Sequence, residues 1–202
     1  MREAAIDGNQ LEILIDLQGP KPYSETLSYD LGHALGNDKP DIVKYILNER
    51  PSLLKREDDK LLFLDEALQG GNPATINHIL TLTKLKFSID QLWNVAVSGN
   101  PALLARFERQ FPDQFSEKLT KCEYQLRETG DLTLAEALVK HGFEKWERLL
   151  FFAELRQNFG LLDLVVRNIG PQATYDLLKA DNIAPRGADL IFLEYVKNIL
   201  ES

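Results

Sequence analysis

The chain has 202 residues, with 31 Asp or Glu against 23 Lys or Arg, a formal net charge of −8 and 44% hydrophobic residues. That apolar content excludes an intrinsically disordered chain, whose buried surface would not offset its conformational entropy. A total of 12 Gly, 9 Pro and one Cys excludes collagen-like and disulfide-scaffold classes.

Taken along the chain, one punctuation mark recurs: Gly8-Asn9, Gly36-Asn37, Gly71-Asn72, Gly99-Asn100, Gly130-Asp131 and, more weakly, Gln157-Asn158. The Asn/Asp column steps by 28, 35, 28, 31 and 27 residues, a mean of about 30. Each mark has the chemistry of a break between two helices. Glycine takes the left-handed conformation that ends one helix, and Asn or Asp accepts from the free amides that open the next. Pro73 and Pro101 follow two of the marks, at the first helical position, where a missing N–H costs nothing.

The flanks repeat as well. Before the mark stands a small residue, Ala5, Ala34, Ala67, Ala96 or Ala153. After it come apolar residues three and four apart, such as Ile42, Val43, Ile46 and Leu47, or Leu161, Leu162, Val165 and Val166, which form one stripe of a helix. First-helix starts are marked by an aromatic before a candidate cap: Tyr23-Ser24, Phe87-Ser88, Phe115-Ser116 and Phe143-Glu144. Ser88 with Gln91 fits a capping box. The pattern predicts an all-α chain of about six helix–turn–helix units over residues 4–170. A C-terminal helical cap over 171–202 completes one domain spanning 1–202. Asn72, Asn100 and Asp131 are expected as N-caps. Ile79, Leu104, Leu138 and Val165 are expected in the core, because a unit of this size must stack on its neighbours to bury its stripe.

The segments Gly130-Asp-Leu-Thr-Leu134 to Ala137-Leu-Val-Lys-His-Gly142, and Ala34-Leu-Gly-Asn-Asp-Lys-Pro-Asp-Ile-Val-Lys-Tyr-Ile-Leu47, resemble the ankyrin repeat. Its pattern runs Ala-x-x-x-Gly-(Asn/Asp/His)-x-x-x-(Val/Ile)-x-x-Leu-Leu. The family's Thr-Pro-Leu-His opening and Asp-x-x-Gly hairpin signature are missing, so the resemblance implies an ankyrin-like solenoid with few or short β-hairpins. It also implies a protein-binding function carried by first helices and the loops beside them. Lys21, Tyr23, Lys55, Arg56, Lys84, Lys86, Phe111 and Asp113 are the candidate partner-contacting residues on those loops.

Catalytic chemistry has no local framework in the sequence. His33, His78 and His141 fall in different units with no i, i+4 pair, and Cys122 lies on the predicted apolar face three residues after Leu119. Phosphate-loop, dinucleotide and Gly-x-Ser-x-Gly fingerprints are absent. No cofactor, metal or catalytic residue is expected. The negative charge is spread along the chain, with no basic block to neutralise phosphates, so nucleic acid is not an expected partner. The longest apolar cluster, Leu149–Ala153, is far short of the about 20 residues of a bilayer span, and no membrane insertion is expected.

The expectation is therefore a monomeric, non-enzymatic module that binds a protein partner. One alternative is an ankyrin-type effector of an intracellular bacterium acting on host proteins; another is an enzyme whose site forms across repeats. With one cysteine and no apolar core of a secretory signal in the first residues, the expected compartment is the cytoplasm. The effector alternative would instead be delivered into a host cell without a classical signal.

Overall fold

The computed structural model describes residues 1–18, 24–180 and 189–201, and among them every regular element is helical. Lys21 and Tyr23 lie outside the described residues, as does residue 181–188 of the C-terminal cap. The chain forms two compact units, Met1–Gln110 and Phe111–Ser202.

The first unit holds four helix–break–helix pairs: α1 (Arg2–Asp7) with α2 (Leu11–Gln18), α3 (Ser24–Gly36) with α4 (Pro40–Glu49), α5 (Glu57–Gly70) with α6 (Pro73–Thr83), and α7 (Leu92–Ser98) with α8 (Pro101–Gln110). Short 3₁₀ turns at Pro51–Leu54 and Ile89–Gln91 lead into α5 and α7. The members of each pair pack on one another, and α1, α3, α5 and α7 also pack each against the next. Ile79 and Leu104 are buried, as the apolar stripe requires.

The second unit comprises α9 (Pro112–Lys121), α10 (Glu123–Thr129), α11 (Leu132–Lys140), α12 (Trp146–Arg156), α13 (Phe159–Ile169), α14 (Pro171–Lys179) and α15 (Asp189–Glu201). Helix α10 packs on α11 and α12, α13 on α11 and α12, and α14 and α15 on each other and on α13. Leu138 and Val165 are buried here.

Three of the expected N-caps are present with the expected chemistry. Asn72 Oδ1 accepts from the amides of Ala74 (2.8 Å) and Thr75 (3.3 Å), Asn100 Oδ1 from Ala102 (2.9 Å) and Leu103 (3.2 Å), and Asp131 Oδ1 from Leu134 (2.7 Å). Asn158 caps α13 in the same way. Two of these asparagines also reach back to the preceding helix break: Asn100 Nδ2 donates to the Gly71 carbonyl and Asn158 Nδ2 to the Gly130 carbonyl, both at 2.8 Å. One amide side chain therefore opens its own helix and ties it to the preceding break.

The first two marks work differently. Asn9 and Asp38 themselves adopt the left-handed conformation, at φ 53° and 52°, and the second helices start later, at Leu11 and Pro40. Asn and Asp tolerate that region better than other side-chain-bearing residues, so here the mark ends a helix without capping the next. The small-residue column has a role in both forms. The carbonyls of Ala5, Ala34 and Ala153 accept from the amides of Gln10, Lys39 and Asn158, five residues on, as in a Schellman cap.

Among the aromatic-plus-cap pairs, Ser88 and Gln91 form the expected capping box, at the start of a 3₁₀ turn. Phe115-Ser116 does not start a helix. Pro112 fixes the start earlier, Ser116 lies inside α9, and the chain breaks at Cys122 instead. Phe143 is buried, three residues before α12, and Lys145 occupies the N-cap position. Tyr23 of the remaining pair is outside the described residues.

Backbone approach is closest between α3 and α5. A Cβ built on Gly70 would lie 2.1 Å from the Leu35 carbonyl oxygen, so glycine alone fits at that crossing. At the next residue, Gly71 takes φ 75° to end α5, and a Cβ there would meet Ser98 Cβ at 2.9 Å.

Replacing Asn100 by Ala should lower stability by about 1–3 kcal/mol, the sum of a lost cap and a lost hydrogen bond to the preceding break. Asn100→Asp, which keeps the acceptor and loses the donor, should fall between the two in denaturant unfolding. Leu138→Ala should cost about 2–5 kcal/mol, and a midpoint unchanged from the parent would place the core elsewhere.

Candidate functional site

The first helices α3 and α5 of the N-terminal unit have an open groove between them. Along α3, Glu25, Tyr29, Gly32 and His33 follow one stripe at helical spacing, and along α5 the corresponding stripe is Leu62, Glu66 and Gln69. Glu25, Ser28, Tyr29, Gly32, His33, Leu62 and Glu66 line an open groove of about 490 Å³ between the two helices. The stripes lie off the buried alanine column, so their side chains are presented to solvent. Tyr29 is 58% and Leu62 51% exposed, and Trp93 on the next first helix, α7, is 44% exposed.

Polar contacts fix this surface from helix to helix. Tyr29 Oη donates to Glu3 Oε1 on α1 at 2.6 Å, and the accepting carboxylate raises the Tyr29 pKa. His33 Nε2 stands 2.8 Å from Asp7 Oδ1, and its ring stacks on Tyr29 at a 6° interplanar angle. Asn37 Nδ2 donates to the His33 carbonyl at 2.9 Å, and Gln69 Nε2 on α5 donates to Asn94 Oδ1 on α7 at 3.2 Å.

Glu66 is the exception. It is half-buried against α3, where Gly32 and Gly36 leave room for it, and a Cβ on Gly36 would lie 3.0 Å from Glu66 Oε2. Desolvation first, then the Asp65 charge, raises its pKa, while the His33 charge acts weakly the other way. Among the described residues no cation forms an ion pair with it.

On the other side of Tyr29, a second groove of about 450 Å³ is lined by Met1, Arg2, Glu3, Leu17, Tyr29 and Asp30. Beside it, buried Asp30 accepts from Arg2 at 2.9 Å and from Gln18 at 3.0 Å. A third groove, of about 370 Å³, lies between the second helices α4 and α6, with Pro40, Val43, Lys44, Ala74, Thr75 and His78 on its walls.

The loop residues expected to contact a partner are dispersed. Lys55 and Arg56 are exposed at the junction into α5, with Arg56 3.8 Å from Asp59. Lys84 is exposed and left-handed at φ 62°, ending α6, and Lys86 is exposed in the following loop. In the second unit Phe111 is half-buried at the N-cap of α9, and Asp113 is exposed in its first turn. None of these six lines the three grooves. Tyr29, Leu62, Glu66 and Trp93 were not among the expected contacts. For two of them the signal was an apolar residue five before the alanine column, Tyr29 before Ala34 and Leu62 before Ala67; Trp93, three before Ala96, and Glu66, one before Ala67, do not follow that spacing.

The histidines and Cys122 each have a local structural setting. His78 is exposed on α6, and His141 Nδ1 is 2.7 Å from Ser116 Oγ, with its ring edge against Phe115. Cys122 is buried and its thiol faces the Lys118 carbonyl at 3.5 Å, and burial pushes its pKa up to about 11. A thiol held protonated in an apolar setting is a poor nucleophile. Among the described residues no group of three or more His, Cys, Asp or Glu is placed to hold a metal ion, and no helix is long and apolar enough to cross a membrane. Glu123, buried at the start of α10, is held by Lys145 at 3.3 Å and by Arg148, an ion-pair cluster that closes on itself.

The chain matches no protein-family model, no curated protein and no solved structure.

Because the Cys122 thiolate forms only near pH 11, Ellman's reagent at pH 8 should label the folded protein slowly and reach one equivalent only after denaturation. Rapid stoichiometric labelling of the native chain would show that the thiol is accessible and activated.

Proposed function

We propose that this chain is a non-enzymatic protein-binding module of ankyrin-like helix pairs, and that its partner sits on the first-helix face of the N-terminal unit. The observation that carries this reading is the exposure of Tyr29, Leu62 and Trp93 on three successive first helices, α3, α5 and α7. Tyr29 and Leu62 line one groove; large apolar side chains grouped at the surface mark interaction sites, and aromatic anchors dominate binding energy at protein interfaces. The short helices and their Asn- and Gly-marked breaks support the ankyrin-like reading of the repeat. Lys55, Arg56, Lys84 and Lys86, at the helix junctions, would supply rim contacts, which steer association more than they hold a complex.

The same surface gives no support to catalysis. Tyr29 and His33 on it are each bonded to an acidic side chain of α1, which positions the neighbouring helices. A rigid platform of packed helices suits recognition, because little ordering entropy is lost on binding.

A photo-crosslinking residue placed in turn at Leu62, Trp93 and Leu82 tests the reading in cells of the source organism. Leu82 is exposed on the second helix α6 and serves as the control. The expected outcome is one protein species crosslinked from Leu62 and Trp93 and absent from Leu82. Equal capture from all three positions, or none from the first-helix pair, would count against it.

A further inference from the structure

The groove between α3 and α5 has a chemical bias that narrows its occupant. Among the described residues its apolar surface comes from Tyr29 and Leu62, and its two carboxylate side chains are Glu25 and Glu66. The acidic Asp7 and Glu3 stand just beyond it, held by His33 and Tyr29. Among the described residues that line it there is no lysine or arginine. Glu66 is drawn partly out of water into the bay left by Gly32 and Gly36, where desolvation raises its pKa. A half-buried carboxylate without a cation carries a desolvation cost in the free protein, and a cation brought by a ligand offsets part of it.

We propose that this groove binds a partner-protein segment in which a Lys or Arg lies beside an apolar side chain, the cation reaching Glu66 and Glu25 and the apolar group resting on Tyr29 and Leu62. This rests on the protein-binding reading above and names the chemistry of the partner. An arginine fits best, because its planar guanidinium can bridge two carboxylate oxygens and stack on the Tyr29 ring. The acidic lining disfavours a segment rich in Asp or Glu, which gives the groove selectivity as well as affinity.

The variants that test this leave the fold intact on physical grounds. Glu66→Gln keeps the shape and removes a desolvated charge. Gly32→Leu fills the groove from within α3; the first atom added would lie 3.9 Å from Glu66 Cγ, an ordinary contact, and leucine favours a helix over glycine. Circular dichroism and melting temperature confirm each fold before binding is read.

The probe is a phage-displayed library of random dodecapeptides selected on the full chain, followed by fluorescence anisotropy of the enriched peptides and their Lys/Arg→Glu counterparts. Peptides carrying Lys or Arg next to an apolar residue should be enriched. Their affinity should fall about tenfold or more on Glu66→Gln, on Gly32→Leu and on charge reversal of the peptide. Enriched peptides that lack a cation, or that bind the Glu66→Gln and Gly32→Leu variants as well as the parent, would overturn the groove assignment. Failure to enrich any peptide would overturn it too. In each of these cases the protein-binding reading is judged separately by whether Leu62 and Trp93 crosslink a common partner.

Discussion

The structure depends on how its helix breaks are held. Its helices run from 6 to 14 residues, lengths at which an isolated helix is marginal in water. Each must therefore be stopped and restarted at a fixed angle so that its apolar stripe meets its neighbours. Asn100 and Asn158 do this with a single side chain, the oxygen accepting from the new helix and the nitrogen donating to a glycine carbonyl at the preceding break. The bond couples local capping to the spacing between breaks. Burial of Leu104 and Leu162 then follows from a geometry already set by the backbone.

The recurring breaks are visible in the sequence, but the capping chemistry expected at each of them is absent from the first two. Asn72, Asn100 and Asp131 cap helices because a left-handed glycine directly precedes each of them. At Gly8-Asn9 and Gly36-Asn37 the left-handed residue is Asn9 and Asp38, and nothing in the dipeptide distinguishes the two arrangements. The difference lies in the residues that follow. Pro40 stands four residues after Gly36, against two in the copies with Pro73 and Pro101, so the second helix has to start later. Proline also accounts for α9, where Pro112 starts a helix upstream of the serine that resembled a cap.

Less of the candidate site was legible. Periodicity identifies side chains that are buried, and loop composition drew attention to Lys55, Lys84 and their neighbours. The groove is made by residues that belong to neither class. Tyr29 and Leu62 are apolar but off the stripe, and Glu66 lies against α3 where Gly32 and Gly36 carry no side chain. A depression produced by glycines on one helix and occupied by a carboxylate from another is a property of two helices together. It can be read only when their pairing is known.

The contact between Gly70 and the Leu35 carbonyl gives this pairing an unexpected lever. It lies at the C-terminal ends of α3 and α5, whereas Glu25 and Leu62 stand toward their N-terminal halves. The two helices are thus pinned like the blades of shears close to one end, and the mouth of the groove is set by the angle at that pivot. Any side chain at residue 70 would drive the blades apart. The separation of the two helices along the groove is consequently constrained at a residue that does not line it.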